Sequence, residues 1–323
     1  MQVLQRFLLA MCCGALAAVP AMALAFPDKP VQLIVPYAAG GLTDNLARIV
    51  APALSARWGQ PVVIDNRNGG GTSIGTAAAA RAPGDGYTLL LTAFGYIGNP
   101  LLMKNLPYDP AALVPVTIVA DAPSVLFVSA RLPVNTVPEL VSYAKAHPKG
   151  VVFASSGNGS SPHIAAELLA SLTGIDIVHV PYRGNGPALN DLLGGQVQAM
   201  FDSAASMSYV RAGRLKALGV ASDAPVARMP EVVPIARSGV PQLAGFAAGG
   251  WFGFFLPSKT PAELQQRIYA DLRAVLETPE VRAALERAGV EPRLMTQPEF
   301  AAYLRAEHDR WAPVIRERRI QLD

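Results

Sequence analysis

Cysteine is nearly absent from this 323-residue chain: Cys12 and Cys13 are the only two, and both lie in an apolar N-terminal run. What folds beyond that run has no disulfide, no thiolate nucleophile and no cysteine-bound metal. Charge is scarce as well. Asp, Glu, Lys and Arg make up 16% of the residues, and the net +3 is spread along the sequence, which excludes a disordered chain, a coiled coil and an electrostatic nucleic-acid binder. No apolar run after residue 25 is long enough to span a bilayer. The sequence also lacks G-x-S-x-G, H-E-x-x-H, C-x-x-C and G-x-x-x-x-G-K-[ST], so the common hydrolase, zinc-protease, redox and P-loop chemistries have no signature here. No catalytic residue, metal or cofactor is expected.

What is present begins with a leader. Arg6 precedes the uncharged run FLLAMCCGALAAVPAMALA at residues 7–25, which ends in small residues and reads as a signal peptide cleaved after Ala25. Cleavage removes both cysteines and predicts a soluble periplasmic protein starting near Phe26. From Pro30 onward, apolar runs alternate with segments of helical period: VQLIVPY, a helix from Thr43 to Trp58, PVVIDN, a helix from Thr72 to Arg81, and YTLLLTA. That is a βαβαβ order, hence a parallel sheet. A second series follows, with VLFVS, a helix over Val137–His147, VVFAS, a helix from Pro162 to Thr173, IVHVPY, a helix near Pro187–Leu193, VQAMFDS and LKALGVAS. WFGFFLP and three helices opened by Thr260, Thr278 and Thr296 as N-caps complete the chain.

The fold class is therefore α/β, with two parallel-rich sheets flanked by helices. The expected division is a signal peptide at 1–25, a discontinuous first domain of 26–128 plus 222–323, and an inserted second domain of 129–221. Strands at Ser124–Ser129 and Leu215–Ser222 would form a two-strand hinge. Open α/β sheets bind ligands beyond the carboxyl ends of their strands, so the site should lie in the interdomain cleft.

Two loops run from a strand end into a helix start. The first comprises Tyr37, Ala38, Ala39, Gly40, Gly41, Leu42, Thr43 and Asp44; the second comprises Ser155, Ser156, Gly157, Asn158, Gly159, Ser160, Ser161, Pro162 and His163, with Ser161 as the expected N-cap. Small residues admit a ligand to the backbone, and first-turn N–H groups lack intrahelical acceptors, so each loop is suited to an anion. A third loop, Asn68–Gly75, has Ile74 where G-x-G-x-x-G requires glycine; it is assigned to backbone geometry, with Asp65, Asn66 and Arg67 fixing the turn locally. Asp202 ends a strand on the same edge and is either a ligand acceptor or the N-cap of a helix at Ala204. Tyr37 and Phe94 are either apolar walls of the site or core. His163 and Glu167 share a helix face but lack a third metal ligand; a helix-start hydrogen bond for His163 and an exposed Glu167 are the simpler expectation. His179 is expected to be a hydrogen-bonded sheet residue, and His147 and His308 lie on helix surfaces.

In this order, VPYAAGGLTDNLAR, VVIDNRNGGGTSIG, APGDGYTLLL, LPYDP, FASSGNGSSPHIAAELL, IVHVPYRGNGPALNDLLGGQVQAMFD, LKALGVAS, WFGFFLPSKTP and the terminal EHDRW resemble the periplasmic solute-binding proteins of tripartite tricarboxylate transporters, the Bug family. The resemblance covers about Phe26 to Trp311. It implies a two-lobed Venus-flytrap fold that captures a small carboxylate between the Ala38–Asp44 and Ser155–His163 loops, without catalysis. One departure is that Leu42-Thr43 and Asn68 stand where such proteins often carry proline or Ala-Pro, so ligand preference does not transfer.

Amide and hydroxyl donors at two helix N-termini can restore a carboxylate's lost hydration without an opposing arginine. At roughly 1.5 to 3 kcal/mol for each charge-assisted bond, three or four sustain micromolar binding after association costs. Arg183 is an alternative donor to a second carboxylate. The expected partners are a small carboxylate and the membrane permease subunits, with the chain a monomer. A periplasmic partner of a sensor-kinase ectodomain would use the same cleft.

Overall fold

Strict alternation in the first strand, β1 (Val31–Val35), sends Leu33 and Val35 to one face and Ile34 to the other, and all three are fully buried. Both faces must therefore be covered, as a strand flanked by helices on two sides requires. The computed structural model describes residues 26–182, 184–222, 224–226, 229–317 and 319–321. The expected signal peptide and Arg183 lie outside the described residues.

The first sheet adds β2 (Val62–Asn66), β3 (Thr88–Thr92), β4 (Leu113–Ala122), β10 (Gly250–Pro257) and β11 (Glu291–Pro292), in the order β11-β4-β10-β3-β1-β2. Helices α1 (Leu42–Trp58) and α8 (Ala262–Leu276) pack Leu46, Val50, Leu54, Ile268 and Leu272 on the Leu33 face. On the Ile34 face lie Ala79 of α2 (Ser73–Ala80), Trp251, and Phe300 and Leu304 of α10 (Gln297–Glu317). Helices α3 (Gly95–Leu102) and α9 (Pro279–Arg287) complete this lobe.

The second sheet contains β5 (Ser124–Ser129), β6 (Val152–Ser155), β7 (Val178–Pro181), β8 (Ala199–Ser203) and β9 (Leu215–Val220), in the order β7-β6-β8-β5-β9. Leu126, Phe153 and Phe201 face α4 (Val137–Ala146) and α5 (Ser161–Thr173); Val125, Phe127 and Met200 face α6 (Asn185–Gly194) and α7 (Met207–Arg211). The fold is thus two-lobed α/β, as in periplasmic binding proteins. Both sheets are mixed: β1, β2 and β3 run parallel, as do β6, β7 and β8, while β4, β10, β5 and β9 enter antiparallel.

Four expectations shift. Because β5 pairs with β8 and β9, residues 124–128 belong to the second sheet, so the expected boundary at 128/129 moves to Pro123. The return, expected at 222, comes at Ala248–Gly250, where Ala248 N–H bonds Ala221 O and Gly250 pairs with Ala122. The segments that cross between lobes are therefore Ala122–Ser124 and Ala248–Gly250, and not β5 and β9 themselves. The tail does not belong wholly to the first lobe: α10 begins on the first sheet and ends with Trp311, Val314 and Ile315 in one apolar cluster with Phe153 and Ile164 of the second. Finally, Thr278 and Thr296 cap their helices as expected, but α8 opens at Pro261 and the buried Thr260 hydroxyl has no hydrogen-bond partner among the described residues.

Candidate functional site

Strand register brings the two loops to one edge. Gly250, which pairs with Ala122 at the crossing, opens β10, and three residues on Gly253 pairs with Thr92 at the carboxyl end of β3. Since β1 and β2 run parallel with β3, all three strands end toward the crossing. In the second sheet Ser124, the first residue after the crossing, pairs with Ser203 at the carboxyl end of β8, and β6 and β7 run parallel with β8. Tyr37–Asp44, Thr92–Gly95, Ser155–Ser160, Tyr182 and Gly184–Asn185 consequently share the junction edge. This is where open α/β sheets bind ligands.

The first loop is held from within by Asp44, which is fully buried. Its carboxylate accepts from Gly40 N–H (2.8 Å), Arg48 Nε (2.9 Å) and Asn66 Nδ2 (3.1 Å). Burial alone would raise its pKa, but the bonds from Arg48, Gly40 and Asn66 hold the group below the usual carboxylate range. Asn66 also donates to Tyr37 O (3.2 Å), so it fixes the neighbouring loop and not only its own turn. Burial pushes the Tyr37 phenol up in pKa, and Thr92 and the backbone of Ala93 and Gly95 lie beside its oxygen. Residues Ala38 to Gly41 are exposed above this base, and the N–H groups of Leu42 and Thr43 have no hydrogen-bond partner among the described residues. The α1 N-cap, Gly41, supplies no side-chain bond.

The second loop is built in the same way. Ser155, fully buried, donates to Gly157 O (3.0 Å) and receives Gly157 N–H (3.1 Å), and its Oγ lies 2.7 Å from His179 Nε2. His163 Nδ1 accepts Gly159 N–H at 3.0 Å, which assigns its proton to Nε2, 3.9 Å from Glu167. The two imidazoles stack with centroids 3.7 Å apart and planes 11° from parallel. Burial lowers both pKa values to about 4, and for His179 the neighbouring His163 adds to the shift. The helix begins one residue earlier than expected: Ser160 is the N-cap and Ser161 the first helical residue, and the Ser160 hydroxyl turns back to Gly157 O (2.7 Å). Glu167 is not the exposed charge expected, since its side chain is only 12% exposed.

Asp202 neither caps the Ala204 helix by its side chain nor stands open. Its two oxygens accept from Asn185 Nδ2 and Ser206 Oγ, each at 2.6 Å, tying the start of α6 to the end of β8. Burial raises its pKa against those bonds. Phe94 is core: it is 7% exposed and meets Trp311 edge-on, with centroids 5.7 Å apart. The third glycine loop is a matter of backbone geometry, with Gly69, Gly70, Gly71 and Thr72 all at positive φ.

The expected residues thus divide. Asp44, Ser155, Ser160, His163 and Asp202 are spent on internal bonds that shape the loops. Ser156 and Ser161 are half-buried and their hydroxyls make no hydrogen bond among the described residues, as is also true of the Asn158 and Ser161 amides. Together with Leu42 and Thr43 N–H, these form two donor sets at the positive ends of α1 and α5. Asn185 and Trp311 act through partners distant in sequence, and no local pattern marks them, whereas Arg48 meets Asp44 at the i,i+4 spacing of one helix. Among the described residues no group of three His, Cys, Asp or Glu could hold a metal ion.

Comparison with known proteins shows what the chain and its fold are similar to. A family profile described as "Tripartite tricarboxylate transporter family receptor" matches residues 46–320. Protein BugT of Bordetella pertussis is 37% identical over 307 residues, covering 93% of this chain and 92% of that protein. The periplasmic binding protein BugD superposes with a TM-score of 0.77 at 32% identity, over 92% of this chain and 99% of that one. Rpa4515 of R. palustris, solved with adipate, gives a TM-score of 0.79 at 34% identity over 90% and 97%. MatC of Rhodopseudomonas palustris, with bound malate, gives 0.76 at 30% identity over 90% and 100%.

Proposed function

Because the chain belongs to the tripartite tricarboxylate transporter receptor family, we propose that it captures a small carboxylate at the lobe junction and delivers it to the membrane subunits of a tripartite transporter. The family is one of solute receptors, not enzymes, and its members are periplasmic binding proteins. The observation that carries the ligand class is the orientation of the two loops. Their charged side chains are turned inward, and the donors left over are Leu42 and Thr43 N–H on one lobe and Asn158 and Ser161 N–H with the Ser156 and Ser161 hydroxyls on the other. An anion satisfies donors of this kind with charge-assisted bonds, whereas a cation cannot accept from them and a sugar's hydroxyls accept without that assistance. Adipate and malate, bound by two relatives, set the size class. Secretion through the leader headed by Arg6, operation as a monomer and closure about Ala122–Ser124 and Ala248–Gly250 complete the reading.

Calorimetry with adipate, malate and a panel of organic acids tests it, on protein unfolded and refolded to strip any retained ligand. At least one carboxylate should bind in the micromolar range or tighter. Binding confined to sugars, polyamines or nucleotides would overturn the anion site.

A further inference from the structure

The second loop is the more demanding of the two to hold in place. Gly157 and Gly159 lie at φ +139° and +71°, which glycine adopts readily, and each loses more backbone freedom on folding than another residue would. Among the described residues, no charged side chain is bonded to its backbone in the way Asp44 is bonded to the first loop. What holds it is a buried layer beneath it, contributed by three elements. Ser155 ends β6, His179 lies in the middle of β7, and His163 stands in the first turn of α5.

The hydrogen bonds of this layer interlock around Ser155 and His163. With the Ser155 proton on Gly157 O, its lone pairs receive Gly157 N–H and His179 Nε2–H. His163 takes the other glycine amide, Gly159 N–H, on Nδ1. The two rings stack and keep each other's planes fixed. Outside the layer, Gly184 N–H bonds Ser156 O at 3.2 Å and Tyr182 N–H bonds Ser155 O at 2.9 Å, which tie the loop to the β7–α6 turn. Gly157 N–H is thus taken by Ser155, Gly159 N–H by His163 and Ser160 N–H by Gly157 O at 3.2 Å. The amides of Asn158 and Ser161 carry no partner among the described residues.

The geometry points to His163 and His179 as positioning residues of the ligand site: neither contacts the ligand, and together they aim the Asn158 and Ser161 amides and the Ser156 hydroxyl at it. This rests on the carboxylate-receptor reading for its ligand but not for its effect on the loop. It also gives His163 a different role from the ligand contact that its place in the sequence suggests. The ring nitrogen nearest the loop is occupied by Gly159, and the other faces Glu167 on its own helix. The layer acts through two lone-pair and proton assignments, so it should be replaceable by amides that present the same atom and not by rings that merely fill the space.

Four variants separate those possibilities. Asn at 163 places Oδ1 where Nδ1 stood, and Gln at 179 places an N–H donor where Nε2 stood; Phe at either position preserves the stacking and removes the bond. Hydrogen exchange over residues 156–161 of the ligand-free protein, and calorimetric affinity for adipate and malate, are measured on H163N, H163F, H179Q and H179F, with circular dichroism confirming the fold. H163F and H179F should exchange the loop amides about tenfold faster and bind the carboxylate about tenfold more weakly, the loss expected from one hydrogen bond. H163N and H179Q should remain within about threefold of the parent on both measures, a narrower range than one lost bond produces. Parent-like exchange in both Phe variants overturns the inference, as does an amide variant that fails as badly as its Phe counterpart. If the parent itself binds no carboxylate, the receptor reading fails while the exchange measurement still decides this one.

Discussion

Acidification from pH 7 to 5 should cost this protein stability through two imidazoles, the buried His163 and the partly buried His179. His163 and His179 are neutral in the fold with pKa values lowered to about 4, while in the unfolded chain each returns to the ordinary value near 6.5. The unfolded state then binds more protons than the native state throughout this window, so stability is fully present above pH 6.5 and drains away as pH falls through 6.5 toward 4. At pH 5 each histidine contributes a loss of about 2 kcal/mol by this linkage, and the pair about 4 kcal/mol, a large share of a typical domain's total. The geometry supplies the physical reason: a proton on His163 Nδ1 would break the Gly159 bond, and a charge on either ring would be partly desolvated and 3.7 Å from the other ring. Carboxylates titrate in the same range with mixed signs. Asp44 is held low and adds to the acid loss, whereas Asp121, Asp202 and Glu307 are raised by burial and oppose it. The measurement is therefore a difference. Urea unfolding midpoints are followed from pH 7.5 to 4.5 for the parent and for H163N/H179Q, which cannot titrate there. The parent should lose about 4 kcal/mol more than the double variant by pH 5. Parallel pH profiles for the two proteins would refute the claim that these imidazoles are neutral because the fold requires it.

Other expectations follow from the same packing. Gly41→Val should weaken carboxylate binding with little loss of stability, because Gly41 has an ordinary φ of −76° and its added Cβ meets only Ala38 O at 3.3 Å; Ser156→Ala should do the same, by about tenfold, and unchanged calorimetric affinity in both would remove the shared site. Gly40 is a poorer probe, since its φ of +82° and its bond to Asp44 would unfold the loop along with any effect on the ligand. Gly75→Ala should destabilise by about 2 kcal/mol, as a Cβ there lies 2.7 Å from Arg67 O and 2.8 Å from Pro36 Cβ, and thermal unfolding reads the shift. Small-angle scattering of refolded protein should show a smaller radius of gyration on saturation with ligand, because the two donor sets belong to different lobes; an unchanged radius would argue against hinge closure.

Local pattern alone was enough for most of this fold. Short apolar runs such as VQLIV and VVFAS, and helices with one apolar stripe, are short-range properties that survive without knowledge of the partner. The same holds for the two strand-to-helix loops, whose small residues and serines mark them wherever they are placed. Strand β4 escaped because Pro115 interrupts it, and only its pairing with β10, shifted in register near that proline, makes it a strand. Sheet membership also needed pairing: nothing within VLFVS says whether it joins β4 or β8. The division of labour at the site was decided entirely by tertiary placement. Asp44, Ser155, His163 and Asp202 look in sequence like groups offered to a ligand, and each is occupied by the fold. Asn66 reaches Asp44 across 22 residues, His179 reaches Ser155 across 24, and Asn185 reaches Asp202 across 17. A buried polar atom takes the partner that the packed chain brings within about 3 Å, and sequence spacing carries no record of that choice. The donors that remain for a carboxylate are defined by subtraction, after the fold has used what it needs.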